Sequence, residues 1–91
     1  MEVVFTFHTT HAAISGERVL LENGVKVKVM PLPSSLGAGC GLCLRVDDSE
    51  LEKSRQLMAA ENIEPEDIYD KTTEQNQTLY RRRRAGPGPH V

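Results

Sequence analysis

The sequence has few of the residues that build large cores or disulfide frameworks. Its 91 residues include no tryptophan, two phenylalanines, two tyrosines and two cysteines. A chain of this length forms one domain with a thin core, so its chemistry is expected on a surface or a loop. Two cysteines do not make a disulfide framework. These absences disfavour a large multi-substrate enzyme and leave a small carrier, binding or redox domain.

Long apolar runs are also absent. A membrane-spanning helix needs about 20 consecutive apolar residues, whereas the longest runs here, such as Val3-Val4-Phe5, are far shorter. The first residues contain no basic segment of the kind that opens a signal peptide. We therefore expect a cytoplasmic protein with reduced thiols and no association with a membrane.

Charge is unevenly distributed along the chain. Residues 1–80 contain 7 basic and 13 acidic side chains, which gives −6, while the last stretch contains four arginines and no acid, which gives +4. An acidic body does not favour nucleic acid as a partner. The Arg81–Arg84 run and the Gly/Pro-rich residues after it are typical of a solvated segment. We predict a flexible basic tail over residues 73–91.

Hydrophobic periodicity predicts a single α+β domain over residues 1–72. Alternation of apolar and polar residues predicts strands at 3–7, 25–30 and 42–46, with a short fourth strand at 68–69. The second strand is expected to stop at Pro31, because proline cannot donate to a ladder. The resulting order, with helices at about 11–23 and 51–60, is β-α-β-β-α-β. It predicts a ferredoxin-like split βαβ fold, a sheet containing antiparallel strands with two helices on one face.

Capping residues predict where the helices begin. Thr9 or Thr10 can cap the first helix through its hydroxyl, and Gly24 follows the end of that helix. Ser49 and Glu52 have the spacing of a capping box, which predicts the start of the second helix.

Cys40 lies in a loop of small residues and is the candidate nucleophile. Its neighbours Gly39 and Gly41 present no side chain, so another molecule can approach the sulfur closely. In the predicted fold this loop lies at the same end of the sheet as the start of the first helix. The positive end of a helix lowers the pKa of a nearby thiol. We therefore expect the thiolate to be stabilised by the glycines and by three residues at the helix start, Thr9, Thr10 and His11.

Alternative roles for the two cysteines stay open. Both could be structural, since cysteine packs as a small apolar residue. Cys40 and Cys43 form a C-x-x-C, so Cys43 could be a second redox thiol, but residues three apart in a strand point to opposite faces. His8 and His11 would complete a tetrahedral zinc site with the two cysteines, although the spacing matches no compact finger. We expect no metal and no cofactor.

A structural or interaction domain is a further alternative. The face of the sheet without helices is expected to be open, and it could pair with a second copy of the chain to form a homodimer. Apolar and small side chains on this face stand among basic ones: Val4, Thr6, Met30 and Cys43 among Lys26, Lys28 and Arg45.

Several short segments together resemble a family of small bacterial proteins grouped as selenium/sulfur carrier protein-like. The resemblance covers roughly residues 3–70 and is carried by FTFHTTHAA at 5–13, Glu17, VMPLP at 29–33, CGL at 40–42, LR at 44–45 and IY at 68–69. It implies a small α+β domain in which Cys40 holds sulfur or selenium as a persulfide or selenopersulfide. The partners it implies are a cysteine desulfurase or selenium-donor protein and an acceptor protein. Such a carrier has no turnover of its own.

Overall fold

The computed structural model describes residues 1–36 and 41–83; Gly39, Cys40 and Arg84 are among the residues outside these ranges. Within them the chain forms two α-helices, five strands and two short 3-10 helices. In chain order these are β1 (Glu2–Thr6), α1 (Thr10–Glu22), β2 (Lys28–Pro31), a 3-10 helix (Ser34–Leu36), β3 (Leu42–Asp47), a 3-10 helix (Asp48–Glu50), α2 (Leu51–Ala60), β4 (Asp67–Glu74) and β5 (Gln77–Arg82).

The strands form one antiparallel sheet with the order β2-β3-β1-β4-β5. Strand β1 is central and pairs with β3 on one side and β4 on the other. At its end, Thr6 lies opposite Cys43 of β3 and Asp67 of β4. The α+β class expected from the sequence is confirmed. The sequence predicts four strands, whereas the sheet of the described residues has five.

The fifth strand follows a tight turn at Gln75 and Asn76. Both residues have positive φ, 50° and 65°, as the two central residues of a type I′ hairpin turn require. The turn lacks the glycine that usually marks such hairpins in a sequence, which is why the sequence alone does not predict β5.

The expected start of the tail at residue 73 is likewise wrong. Strand β4 continues to Glu74, and β5 occupies Gln77–Arg82. Two arginines at the end of this hairpin form ion pairs with aspartates of β4. Arg82 Nη2 lies 3.0 Å from Asp67 Oδ1, and Arg83 Nη2 lies 2.7 Å from Asp70 Oδ1. Part of the arginine run therefore neutralises carboxylates of the neighbouring strand. Residues 84–91 lie outside the described residues.

Strand β2 begins later than predicted and includes Pro31. Val25 and Val27 precede the strand, although both are buried. The Leu32 N–H donates to the Gly41 carbonyl at 3.0 Å, and hydrogen-bonded pairs recur at every second residue of an antiparallel ladder. The nitrogen of Pro31 therefore faces away from β3. A proline is accepted in an edge strand when its missing N–H faces outward.

Both helices contribute to one core on a single face of the sheet. Val3 and Phe5 of β1, and Phe7 directly after it, are fully buried in the same cluster as Leu20 of α1 and Met58 of α2. Gly16 allows α1 to approach the sheet, since a Cβ there would lie 3.2 Å from Leu44 Cδ1 and 3.2 Å from Met58 Sδ. Neither described helix has the length and apolar character that crossing a membrane requires.

The predicted capping box of the second helix is wrong. Glu50 precedes α2 without a side-chain cap. The chain enters α2 through the 3-10 turn Asp48–Glu50, and Asp47 caps that turn instead. The Asp47 carboxylate accepts hydrogen bonds from the Ser49 N–H at 2.9 Å and from the Ser49 hydroxyl at 2.6 Å. These bonds from Ser49 lower the pKa of Asp47 below its ordinary value of 3.8.

Replacing Gly16 by valine should destabilise the fold. The added atoms would overlap Leu44 and Met58, and overpacking of this kind costs about 1–3 kcal/mol. Urea unfolding measures the free energy of unfolding. Ser15→Val introduces the same β-branched residue at the neighbouring, half-buried position and should cost less than about 1 kcal/mol. Equal losses in the two variants would show that close packing at Gly16 is unimportant.

Asp47→Asn should reduce the dependence of stability on acidic pH. The folded-state pKa of Asp47 is depressed, so its carboxylate stabilises the protein above its unfolded pKa, and this contribution is lost as the pH falls through the folded pKa. Urea unfolding of both proteins between about pH 5 and pH 2 tests this. The wild type should lose more stability than Asp47→Asn over this interval. Parallel curves would contradict the assignment.

Candidate functional site

The exit of β1 and the beginning of β3 meet at one end of the sheet. Strand β1 leaves the sheet after Thr6 and leads directly into α1. Because β3 is antiparallel to β1 and Cys43 lies opposite Thr6, the residues before Cys43 continue in the direction in which β1 exits. Gly41 therefore lies at this end. Cys40 is covalently joined to Gly41, although it and Gly39 fall outside the described residues.

The start of α1 is exposed at the same end. Thr9 is the N-cap, which confirms one of the two predicted caps, and its Oγ1 accepts a hydrogen bond from the Ala12 N–H at 3.1 Å. Thr9, Thr10 and His11 are all exposed. The first turn contains no acidic residue, so no carboxylate of that turn offsets the positive end of the helix dipole. The helix start retains the polarity that favours a nearby anion.

A polar groove of about 400 Å³ borders this end of the molecule. One wall is formed by residues at and after the β1 exit, and the other by the segment after α2. His8, at its rim, has its Nδ1 3.7 Å from Glu66 Oε2, with most of the His8 side chain in solvent. The other carboxylate oxygen, Glu66 Oε1, is buried without a hydrogen-bond partner in the described part of the protein. The lining residues are His8, His11, Ala12, Ser15, Arg18, Glu61, Asn62, Ile63 and Glu64.

Glu66 and the segment after α2 are parts of this site that the sequence did not predict. They reach the β1 exit only through tertiary packing, which includes a hydrogen bond from the Glu66 N–H to the Thr6 carbonyl. The acidic spacing of Glu64 and Glu66 around Pro65 is the one local signal that could have drawn attention to them.

Cys43 is a fully buried residue of the sheet. It lies between Thr6 of β1 and Met30 of β2 in the register. Its side chain is 0% exposed, and its Sγ donates to the Pro31 carbonyl at 3.8 Å. A buried cysteine of this kind packs as a small apolar side chain. The sulfur is inaccessible to another protein in this arrangement.

The sheet face away from the helices was expected to be open, but the structure shows that its centre is buried. Val4, Thr6 and Cys43 are at most 1% exposed. Glu2 bridges two long basic side chains on this face, with contacts of 3.3 Å to Arg45 Nε and 3.2 Å to Lys71 Nζ. The side chains of both basic residues are largely buried, as is common for amphipathic side chains that cover apolar surface.

Of the four residues considered as zinc ligands, the structure describes His8, His11 and Cys43, and it does not bring these three together. His8 and His11 line the polar groove, whereas Cys43 is buried in the sheet and is not part of the groove lining. Among residues 1–36 and 41–83 no three histidine, cysteine or carboxylate side chains cluster in a way that could hold a metal ion. Cys40, the fourth residue, lies outside these ranges.

The fold is a small α+β domain in which the β2–β3 hairpin, with Cys43 in β3, and the start of α1 share one end of the sheet. A family model described as “Putative Se/S carrier protein-like” matches residues 2–70, and the chain belongs to this family. The match confirms the resemblance noted in the sequence. It spans β1 to the first half of β4, so the Gln77–Arg82 strand is outside it. No curated protein and no solved structure matches the chain.

Thr9→Ala should weaken the start of α1 and destabilise the protein by about 1 kcal/mol, because the Ala12 N–H loses its acceptor. Thr9→Ser keeps the hydroxyl and should retain most of the stability. Thermal and urea unfolding measure both variants. If Thr9→Ala and Thr9→Ser are equally stable, the hydroxyl is not a significant cap.

Proposed function

We propose that the protein carries sulfane sulfur, or selenium in its place, on Cys40. The observation that carries the proposal is the family match over residues 2–70, which includes Cys40 and the hairpin around it. The family name refers to a carrier of these two elements. The described neighbours of Cys40 suit such a role, because Gly41 lies at the end of the sheet where α1 begins.

The proposed chemistry is thiolate exchange at sulfur. The Cys40 thiolate attacks the outer sulfur of a persulfide on a donor cysteine. One S–S bond breaks and another forms, so the donor leaves as a thiolate and Cys40 becomes a persulfide. An acceptor thiolate then attacks the outer sulfur and releases the Cys40 thiolate. Each step moves one sulfur atom without an external oxidant or reductant, and the same scheme holds for selenium.

The helix start is proposed to favour the anionic forms of Cys40. Both the thiolate before loading and the persulfide after loading carry negative charge. The positive end of α1, with Thr9, Thr10 and His11 exposed around it, would stabilise either species. Gly39 and Gly41 would leave the sulfur accessible to a protein donor and acceptor.

Burial of Cys43 supports a carrier over a dithiol redox protein. A second accessible thiol near Cys40 would attack its persulfide, release sulfide and leave a disulfide. Cys43 is 0% exposed in the middle of the sheet, between β1 and β2. In this position it would leave the load on Cys40 intact. The protein would then act as a reactant between two partners and have no catalytic turnover of its own.

Sulfur loading of three proteins tests this function. Each is incubated with a cysteine desulfurase and cysteine, and its intact mass is measured without reductant. Wild type and Cys43→Ala should gain one sulfur atom, and Cys40→Ser should gain none. The same experiment tests selenium loading when selenocysteine replaces the free cysteine and a selenocysteine lyase replaces the desulfurase.

Cys43→Ala controls for the loss of a cysteine as such. Because Cys43 is buried, this variant is expected to lose about 1 kcal/mol of stability while retaining its load. A wild type that gains no sulfur, or a Cys40→Ser variant that loads as well as wild type, would refute the proposed function.

A further inference from the structure

Four exposed cations of the described chain form no ion pair. Two of them, Lys26 and Lys28, lie close together at the start of β2, whereas the other two, Lys53 and Arg81, are far apart in the sequence. Most arginines and lysines of residues 1–36 and 41–83 form ion pairs, including Arg45 with Glu2 and Lys71 with Glu2. Lys26 and Lys28 are exposed and form no ion pair with a described carboxylate. They lie two residues apart in a domain whose first 80 residues carry net negative charge. The two lysines thus add positive charge at one edge of an acidic body, beside a groove that Arg45, Glu2 and Asp47 also line.

Apolar side chains are exposed next to these lysines. Leu21 of α1 is 53% exposed and Val29 of β2 is 38% exposed. Leu21, Lys26 and Lys28 line the same groove of about 470 Å³. We call Leu21, Lys26, Lys28 and Val29 the β2 strip. It combines apolar surface with unpaired positive charge, a combination typical of sites that bind another protein.

The backbone of β2 is also open to pairing. This strand is the outermost of the sheet and pairs only with β3. Leu32 and Gly41 are hydrogen-bonded to each other, and along antiparallel strands hydrogen-bonded residues alternate with residues whose backbone groups face outward. Val29, three residues before Leu32, is of the second kind, so its N–H and C=O point away from β3. Such an edge can accept an added strand. Pro31 limits the length of the pairing, because it has no N–H to donate.

The β2 strip is close to the proposed carrier cysteine along the chain. Lys28 and Leu32, the residue that pairs with Gly41, are four residues apart, or about 13 Å in an extended strand. A protein interface of ordinary size covers about 800 Å² on each partner and is therefore wide enough to cover the strip and the hairpin end together. A partner bound at β2 would be positioned to reach Cys40.

We propose that the β2 strip binds an acidic segment of the protein that donates sulfur to Cys40. The segment adds to the edge of β2 as a strand, with carboxylates near Lys26 and Lys28 and an apolar side chain against Leu21 and Val29. Opposite charges on neighbouring strands stabilise pairing. A second copy of this chain would instead bring further lysines to the strip. The inference rests on the proposed carrier function. Beyond that function, it specifies that the partner segment is acidic and binds as an extended strand.

The test compares charge reversal at the strip with charge reversal elsewhere. K26E/K28E changes the strip, and K53E/R81E is the matched control, since Lys53 and Arg81 are also exposed and outside the ion pairs described. The initial rate of sulfur transfer from a cysteine desulfurase with cysteine is measured at low and at raised salt. Inorganic polysulfide serves as a donor that needs no docking.

The proposal predicts that K26E/K28E slows transfer from the desulfurase about tenfold at low salt. Added salt should slow the wild type and should not slow this variant. The K53E/R81E control should stay within about twofold of wild type. Polysulfide should load all three proteins at equal rates, and unfolding curves should show that both variants are folded.

Three other outcomes would overturn one or both of the claims. If the desulfurase loads wild type and K26E/K28E equally fast, the docking surface is refuted and the carrier function stands. If the desulfurase does not load wild type, the carrier function is refuted, and the docking inference falls with it. If size-exclusion chromatography shows a wild-type dimer that K26E/K28E dissociates, the strip binds a second copy, and the inference of an acidic donor segment is refuted.

Discussion

The packing of β1 is the constraint on which the rest of the structure depends. Its residues from Val3 to Thr6 are at most 1% exposed, and the strand is paired along both edges, with β3 and with β4. A slip of one residue in its register would exchange the helix face and the opposite face of the strand, which would move Phe5 out of the core. Burying such a side chain contributes about 2–3 kcal/mol. The same register sets Thr6 opposite Cys43, so it also fixes where β3 and α1 begin relative to each other.

That register separates the settings of the two cysteines. Cys43 is opposite Thr6 in the interior of the sheet, where its burial and its contact with the Pro31 carbonyl account for it as a packing residue. The proposed carrier residue is Cys40, three residues earlier in the sequence and adjacent to Gly41, which lies at the end of the sheet where α1 starts. The β2 edge leads into the same hairpin. The proposed carrier cysteine and the proposed docking strip are therefore consecutive parts of one β2–β3 unit.

Elements governed by local patterns were predictable from the sequence. Alternation predicted β1 and β3, and the hydroxyls of Thr9 and Thr10 predicted the start of α1, where the structure shows Thr9 as the cap. Contacts between segments distant in the chain were not predictable. Strand β5 depends on pairing with β4 and on the Arg82–Asp67 and Arg83–Asp70 contacts, all of which form only in the folded sheet. The predicted cap of the second helix does not form, because Ser49 lies in a 3-10 turn before α2 and donates its hydrogen bonds to Asp47, which caps that turn.

The site was predictable in outline for a similar reason. The sequence predicted that the cysteine hairpin and the start of α1 share one end of the sheet, and the positions of Gly41 and Thr9 agree. The groove between α1 and the segment after α2, with Glu66 beside His8, depends on tertiary packing and carries no sequence motif. Likewise, nothing in the sequence distinguishes Lys26 and Lys28 from the other charged residues. Only the folded structure shows that Lys26 and Lys28 form no ion pair with a described carboxylate, because most other arginines and lysines of the described residues do form one.

The central claim is that the transferred atom resides on Cys40, and locating that atom in the wild-type protein tests it most directly. After loading by a cysteine desulfurase, the protein is alkylated and digested with trypsin. Cleavage after Lys28 and Arg45 leaves both cysteines in one peptide, in which Gly41 and Leu42 separate them. Fragment masses should therefore place the additional sulfur on Cys40. Additional sulfur on Cys43, or a disulfide joining the two cysteines in place of a persulfide, would contradict the account.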